Sequence, residues 1–203
     1  MPDNVICTIP VGVLRQMAVL PPWPADKKRV IDSLTYGSVV RTTYQTRTRY
    51  WEREGLNGFG TSDAPFEVWS PTFGEPGRRG LLQAFVYEDL ARKLSAMEDE
   101  QREEVMVGEM EKVHPGLSAH LEGVFSKCWD NDRWQRGAFT IYHPHEQVMY
   151  PLICRPEGRI LFAGEHASPW PGWMQGALIS GMRAAREVNG LRSDCACDNP
   201  ADG

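Results

Sequence analysis

The sequence predicts a mixed α/β protein of the α+β kind, and three observations carry that reading. Short β-branched or aromatic runs at 4–10, 37–51, 66–70, 81–87 and 158–164 read as strands. Charged or amphipathic stretches at 24–34, 88–94, 97–113 and 173–189 read as helices. The two kinds do not alternate regularly, as they would around a doubly wound parallel sheet.

Taken in order, "NVICTIP" (4–10) has the pattern of a buried strand closed by proline. Its abruptness suits a chain that begins mid-domain. "PADKKRVIDSL" is a short helix that ends before Gly37, and "GSVVRTTYQTRTRYW" is a strand exposed on one side. "FEVWS" (66–70) and "LLQAFVY" (81–87) flank the turn "GEPGRRG" and form a hairpin with a long connection. Two helices follow, the second acidic at its start and basic at its end, as the helix dipole favours, and Pro115 and Gly116 stop it. "HLEGVFSKCWD" is an edge strand leading to a loop, and "GAFTIYHP" (137–144) a short strand. "GRILFAG" (158–164) precedes the last helix. On that helix Met174, Ala177, Leu178, Gly181, Met182, Ala185 and Val188 share one face, expected to be buried, with Arg183, Arg186 and Glu187 opposite. Residues 191–203 read as a disordered tail.

Composition narrows the function. The 203 residues are 41% hydrophobic and 24% charged, with a net charge of −5 and no long basic run, which argues against nucleic acid or an anionic membrane as partner. No apolar segment approaches the roughly 20 residues of a membrane span. Five scattered cysteines suit reduced thiols in the cytoplasm, and Cys195 and Cys197 fall in the polar tail. His143, His145 and His166 offer no third ligand at metal-site spacing, so no metal is expected.

The stretch "FAGEHASPWPGWMQGALISGMRAAREVN" (162–189) concentrates the chemistry. Its strand ends at Gly164, where a ligand or another backbone can come close. Glu165 follows as an acceptor for hydroxyls. Gly172 and Trp173 then lead to a helix N-terminus, whose free N–H groups suit partial negative charge. Together these fit a cofactor with ribose-like hydroxyls and an electron-accepting ring. A core helix plugged by a tryptophan fits the spacing equally well.

This stretch resembles the C-terminal flavin motif of the flavin-dependent amine oxidase superfamily, in particular the L-amino-acid oxidases. "VICTIPVGVLRQM", "YGSVVR" and "W…GAFTIYHP" resemble further segments in the same order, from Asn4 to Asn189. The resemblance implies a two-domain fold: flavin-domain pieces at 3–15 and 155–190, and a mixed-sheet substrate domain at 16–154. The glycine-rich dinucleotide-binding unit that opens such flavin domains has no counterpart here. The chain therefore reads as part of an enzyme (a subunit, a split gene or a truncated frame), expected to work with an N-terminal half and as an oligomer.

The resemblance also assigns residues. Gly164, Glu165, the run Gly172, Trp173, Met174, Gln175, Gly176 and Ala177, and Trp129 would meet FAD. Ala138 stands where some relatives carry a flavin-linked cysteine, which implies non-covalent FAD. Gly172, Trp173 and Phe139 would wall the substrate amine. Trp69 or Ser70 stands where a carboxylate-binding tyrosine often does. Arg41 replaces a lysine that assists reaction with oxygen, keeping the charge without a readily exchanged proton. The activity implied is oxidation of an L-amino acid to a 2-oxo acid, ammonia and hydrogen peroxide. An amine or polyamine oxidase, or a non-catalytic relic, are the alternatives.

Overall fold

The computed structural model describes residues 4–64 and 66–190. In chain order its elements are β1 (Val5–Cys7), α1 (Val11–Leu14), α2 (Ala25–Ser33), β2 (Val39–Thr46), β3 (Gly60–Thr61), β4 (Phe66–Trp69), β5 (Gly80–Tyr87), α3 (Glu88–Ser95), α4 (Asp99–Val113), α5 (Leu117–His120), β6 (Leu121–Cys128), α6 (Tyr150–Cys154), β7 (Ile160–Phe162) and α7 (Met174–Val188). They fall into two compact units. One combines the segments up to Gly37 and from Arg133 onward, and the other is Ser38–Asp132. The expected tail and its two cysteines lie outside the described residues.

The continuous unit is a sheet in the order β3-β4-β5-β2-β6, with helices on one face. Strand β2 pairs antiparallel with β5 (Arg41 opposite Phe85) and with β6 (Arg41 opposite Lys127). The expected hairpin is present, with Phe66 opposite Val86 and Trp69 opposite Gln83. Alternation decides the faces. Val40, Thr42, Tyr44 and Thr46 are buried, while Arg41, Thr43 and Gln45 are not. The buried face packs Tyr44, Leu82 and Val86 against Leu94, Met106 and Met110 of α3 and α4. Tyr44 satisfies its buried hydroxyl by donating to the Met106 carbonyl at 2.8 Å.

In the segmented unit, β1 and β7 form a parallel pair, Val5 opposite Ile160 and Cys7 opposite Phe162. Val11, Leu14, Ile31, Leu34, Ile153 and Phe162 build its core. Lys27, with its side chain fully buried, donates from Nζ to the carbonyls of Leu152 (2.6 Å), Ile153 (3.1 Å) and Arg155 (2.6 Å), capping α6.

Three expectations are corrected. Strand β1 is not buried along its length: Val5 and Ile6 are 47% and 41% exposed. "GAFTIYHP" is not a regular strand. Residues 138–141 run along 35–37 through Gly37 N–H to the Phe139 carbonyl (2.7 Å), Ala138 N–H to the Gly37 carbonyl (2.8 Å) and Ile141 N–H to the Thr35 carbonyl (3.0 Å), with a single bridge between Tyr36 and Thr140. Gly137 bends the entry at φ +138°, where a Cβ would meet Tyr36 Cδ1 at 2.3 Å. Helix α7 buries a different side from the one its apolar spacing indicates. Gly176, Ser180 and Ala184 face inward, while Met174, Leu178 and Met182 are exposed. Arg183, expected outside, donates to the Phe162 carbonyl at 2.7 Å and to Glu187.

Candidate functional site

The junction between β7 and α7 is organised by one carboxylate. Glu165 Oε1 accepts from the Thr140 backbone N–H at 3.0 Å, and Oε2 accepts from the Gly172 N–H at 2.6 Å. Burial pushes its pKa up, opposed by these two donors. Glu165 thereby ties the 138–141 segment to the loop that enters α7. Gly172 sits at φ +76°, and a Cβ there would lie 3.3 Å from Phe139 Cδ2. Phe139, Glu165 and Gly172, chosen from widely separated positions, are thus in one place.

Gly164 has a different reason from the one expected. At φ +127° its missing Cβ makes way for the chain's own His166 ring, which would be 2.5 Å away. Its N–H donates to Ser180 Oγ at 2.8 Å, linking β7 to α7. Gly176 is likewise internal: a Cβ would come within 2.1 Å of the Trp170 carbonyl oxygen and 2.2 Å of Ser168 Oγ. Of this run, the surface available to a ligand is Gly172, Trp173 (65% exposed), Met174 (81%), Gln175 and Ala177. No side chain caps the helix start, so the first-turn N–H groups keep the positive end of the α7 dipole available for an electron-rich group. An exposed aromatic and apolar turn at an uncapped helix start fits a planar ring that gains negative charge on reduction. Phe139 lies against Gly172, the residue before the exposed Trp173.

The remaining residues belong to the continuous unit. Arg41, Trp69 and the neighbours of Trp129 share the partly exposed face of its sheet. The Arg41 guanidinium lies 4.7 Å over the Phe85 ring and donates to Gln83 Oε1 at 3.3 Å. Trp69 tilts against Phe85 at 6.2 Å, Phe85 meets Tyr87 edge-on at 5.2 Å, and Trp69 Nε1 donates to Glu67 Oε2 at 3.1 Å. Lys127 stands 5.1 Å over the Trp129 ring and donates to Asp132 at 2.6 Å. Ser70 is 5% exposed and lies against Gly58, where a Cβ would meet Ser70 Oγ and Trp51 Nε1 at 2.9 Å. Glu67, Phe85 and Tyr87 were missed by sequence reasoning. Period-two alternation from Trp69 and Arg41 across the paired strands would have found them.

His143 and His145 stack at 5.8 Å, but no group of three or more metal-binding side chains is gathered among the described residues. No described helix is long and apolar enough to cross a membrane.

A family model, described as flavin containing amine oxidoreductase, matches residues 3–189. The chain is 34% identical to flavin-dependent L-tryptophan oxidase RebO of Lentzea aerocolonigenes, over 92% of this chain and 41% of that protein. It is 33% identical to putative L-amino-acid oxidase YobN of Bacillus subtilis (strain 168), over 93% and 41%, and 26% identical to L-amino-acid oxidase of Bungarus fasciatus, over 92% and 38%. The chain thus spans about two fifths of the length of these relatives. In fold it is similar to a putrescine oxidase variant (TM-score 0.79, 22% identity, 93% of this chain and 43% of that one). It is also similar to cyclohexylamine oxidase from Brevibacterium oxydans IH-35A (TM-score 0.76, 19% identity, 93% and 43%).

Proposed function

Since the chain belongs to the family of flavin containing amine oxidoreductases, we propose that it supplies the C-terminal flavin-contacting segments and the substrate sheet of an L-amino-acid oxidase. The reaction is oxidative deamination of an L-amino acid to a 2-oxo acid, ammonia and hydrogen peroxide. The observation that carries this reading is the exposed, uncapped first turn of α7, with Glu165 and Phe139 converging on Gly172 beside it. The relatives at 34% and 33% identity favour amino acids over simple amines. The solved structures bear on fold alone.

In this reading residues 3–15 and 155–190, which fall in the segmented unit, are the flavin-domain pieces, and the substrate domain at 16–154 takes in the whole continuous unit. Bound FAD would supply a two-electron acceptor for the substrate's C–H bond and pass the electrons on to oxygen. The chain's own residues hold and orient. The α7 N–H groups face negative charge on the ring, because the dipole there is already fixed and costs no reorganisation. Glu165 fixes the approach of Gly172, and its remaining lone pairs can accept from the cofactor's hydroxyls. Met174, Gln175 and Ala177 offer the surface on which the ring lies, and Gly176 contributes backbone only. Trp173 and Phe139 wall the substrate amine and exclude water. Of the two candidates for the substrate carboxylate, Trp69 is exposed and Ser70 buried, so the role is assigned to Trp69. Arg41 holds a fixed positive charge on the sheet face, which suits reduced oxygen species electrostatically without delivering a proton. Trp129, the residue that follows β6, is assigned to the flavin by the family resemblance. Cys7 and Cys128 are buried thiols, which suits a reducing, cytoplasmic compartment.

An N-terminal half carrying the glycine-rich pyrophosphate turn completes the cofactor site. The test is the visible absorption spectrum of the purified chain, alone and co-expressed with the N-terminal part of a related oxidase. Flavin bands and amino-acid-dependent peroxide only in the co-expressed sample support the reading, and no flavin in either sample sinks it. In a flavin-loaded assembly, Trp173→Ala lowers turnover more than flavin content. Equal loss of both assigns Trp173 to the scaffold instead.

A further inference from the structure

A cavity of about 610 Å³ opens on the continuous unit, where the end of β2 meets the loop that joins β4 to β5. Its wall carries Arg47, Arg49, Arg78 and Arg79 against a single carboxylate, Glu122. The chain as a whole has 22 basic and 27 acidic residues, so this ratio runs against the composition and calls for a local cause. None of these residues has a place in the flavin or substrate assignments above.

How the guanidiniums are held is informative. Arg49 Nε donates to the Arg79 carbonyl at 3.1 Å and Nη1 to the Glu75 carbonyl at 2.8 Å. Its stem lies where a Cβ on Gly80 would be 2.9 Å from Arg49 Cγ, and its side chain is 10% exposed. The nearest carboxylate, Glu52, is 3.7 Å away and itself 55% exposed. Arg47 Nη2 donates to the Ala119 carbonyl at 2.8 Å. Only Arg79 is fully paired, by two bonds to Glu122 at 2.8 and 3.2 Å. Arg78 is exposed and has no carboxylate at ion-pair distance among the described residues. Carbonyl oxygens orient a guanidinium without neutralising it. The side-chain entropy of Arg47 and Arg49 is therefore already spent; Arg49 shares its charge with the exposed Glu52, while Arg47, like Arg78, has no carboxylate at ion-pair distance among the described residues.

We propose that this cavity binds a small, multiply charged oxyanion of the phosphate-ester or pyrophosphate class. Forked N–H pairs from several arginines match the oxygens of such a group, and these charge-assisted bonds are the strong ones. The volume is within the range of small-molecule sites.

The test is calorimetric titration of the full chain with pyrophosphate at low ionic strength, with citrate and a poly-glutamate peptide as comparison arms. The expected result is saturable binding at one site that weakens as salt is added. The double variant Arg47→Gln, Arg78→Gln should weaken it about tenfold or more. Both side chains are exposed, so circular dichroism should show an intact fold. Absence of saturable binding, or affinity unchanged in the double variant, overturns the proposal. Tighter binding of citrate overturns the phosphate class, and tighter binding of the peptide overturns the small-anion reading.

Discussion

His166 shows how a single side chain can be set by packing and then read out by pH. It is 3% exposed, its ring fills the space above Gly164, and its Nε2 has no hydrogen-bond partner among the described residues. Burial lowers its pKa from 6.5 to about 4. As pH falls between those values the unfolded chain takes up a proton and the folded chain does not. The stability tied to the neutral ring is therefore complete above pH 6.5 and lost progressively toward pH 4. The loss amounts to about 3 kcal/mol at most. Glu165 works the other way: its folded pKa lies above 4.5, so the folded chain gains that proton first and offsets part of the loss. Urea unfolding across this range should show a falling midpoint for the native chain and a flatter profile for His166→Phe. Parallel profiles would assign the acid sensitivity elsewhere.

At the scale of elements, the fold was legible wherever a hydrophobic period exists and obscure wherever burial rests on small or charged residues. The hairpin of β4 and β5, the one-sided character of β2, and helices α2, α3, α4 and α7 all follow from periodicity and turn residues. The buried side of α7 does not. It is lined by Gly176, Ser180 and Ala184, whose low hydrophobicity hides them from any apolar pattern, while the strong stripe of Met174, Leu178 and Met182 is exposed. The meeting of Glu165 with Thr140 and Gly172 was also hidden, because it is made by backbone N–H groups that carry no residue signature. Lys27 is the plainest case. Its position in a charged helix suggests solvent, yet it is fully buried because three carbonyls about 125 residues later converge on its ammonium group. Replacing it by methionine keeps the stem and strands those carbonyls at the end of α6. We expect Lys27→Met to cost about 2–4 kcal/mol, read as a lower urea midpoint at unchanged slope. A cost below about 1 kcal/mol would show that water replaces the ammonium there at little expense.

At the scale of the whole molecule, the exposed apolar surface of the segmented unit sets the behaviour of the isolated chain. Parallel strands are ordinarily covered on both faces and belong to larger sheets, and a two-stranded sheet is marginal by itself. Here β1 and β7 form a sheet of two strands among the described residues, and Val5 and Ile6 are exposed. On α7, Met174, Leu178, Ile179 and Met182 are 81%, 69%, 46% and 57% exposed. Contiguous apolar surface of this kind marks an interaction site. In the reading proposed above, the cofactor and the N-terminal half cover it. The isolated chain should therefore bind a hydrophobic dye such as anilinonaphthalene sulfonate and elute as self-associated species in size-exclusion chromatography. Co-expression with the N-terminal part of a related oxidase should remove most of the dye signal and bring flavin absorbance into the same peak. The double variant Leu178→Lys, Met182→Glu should disperse the isolated chain, because both side chains are already outside, and should also block assembly. Dye-negative, monodisperse native chain would mean that the α7 face is not a surface awaiting cover. Dispersal by the variant with assembly intact would place the contact on β1 and β7 instead.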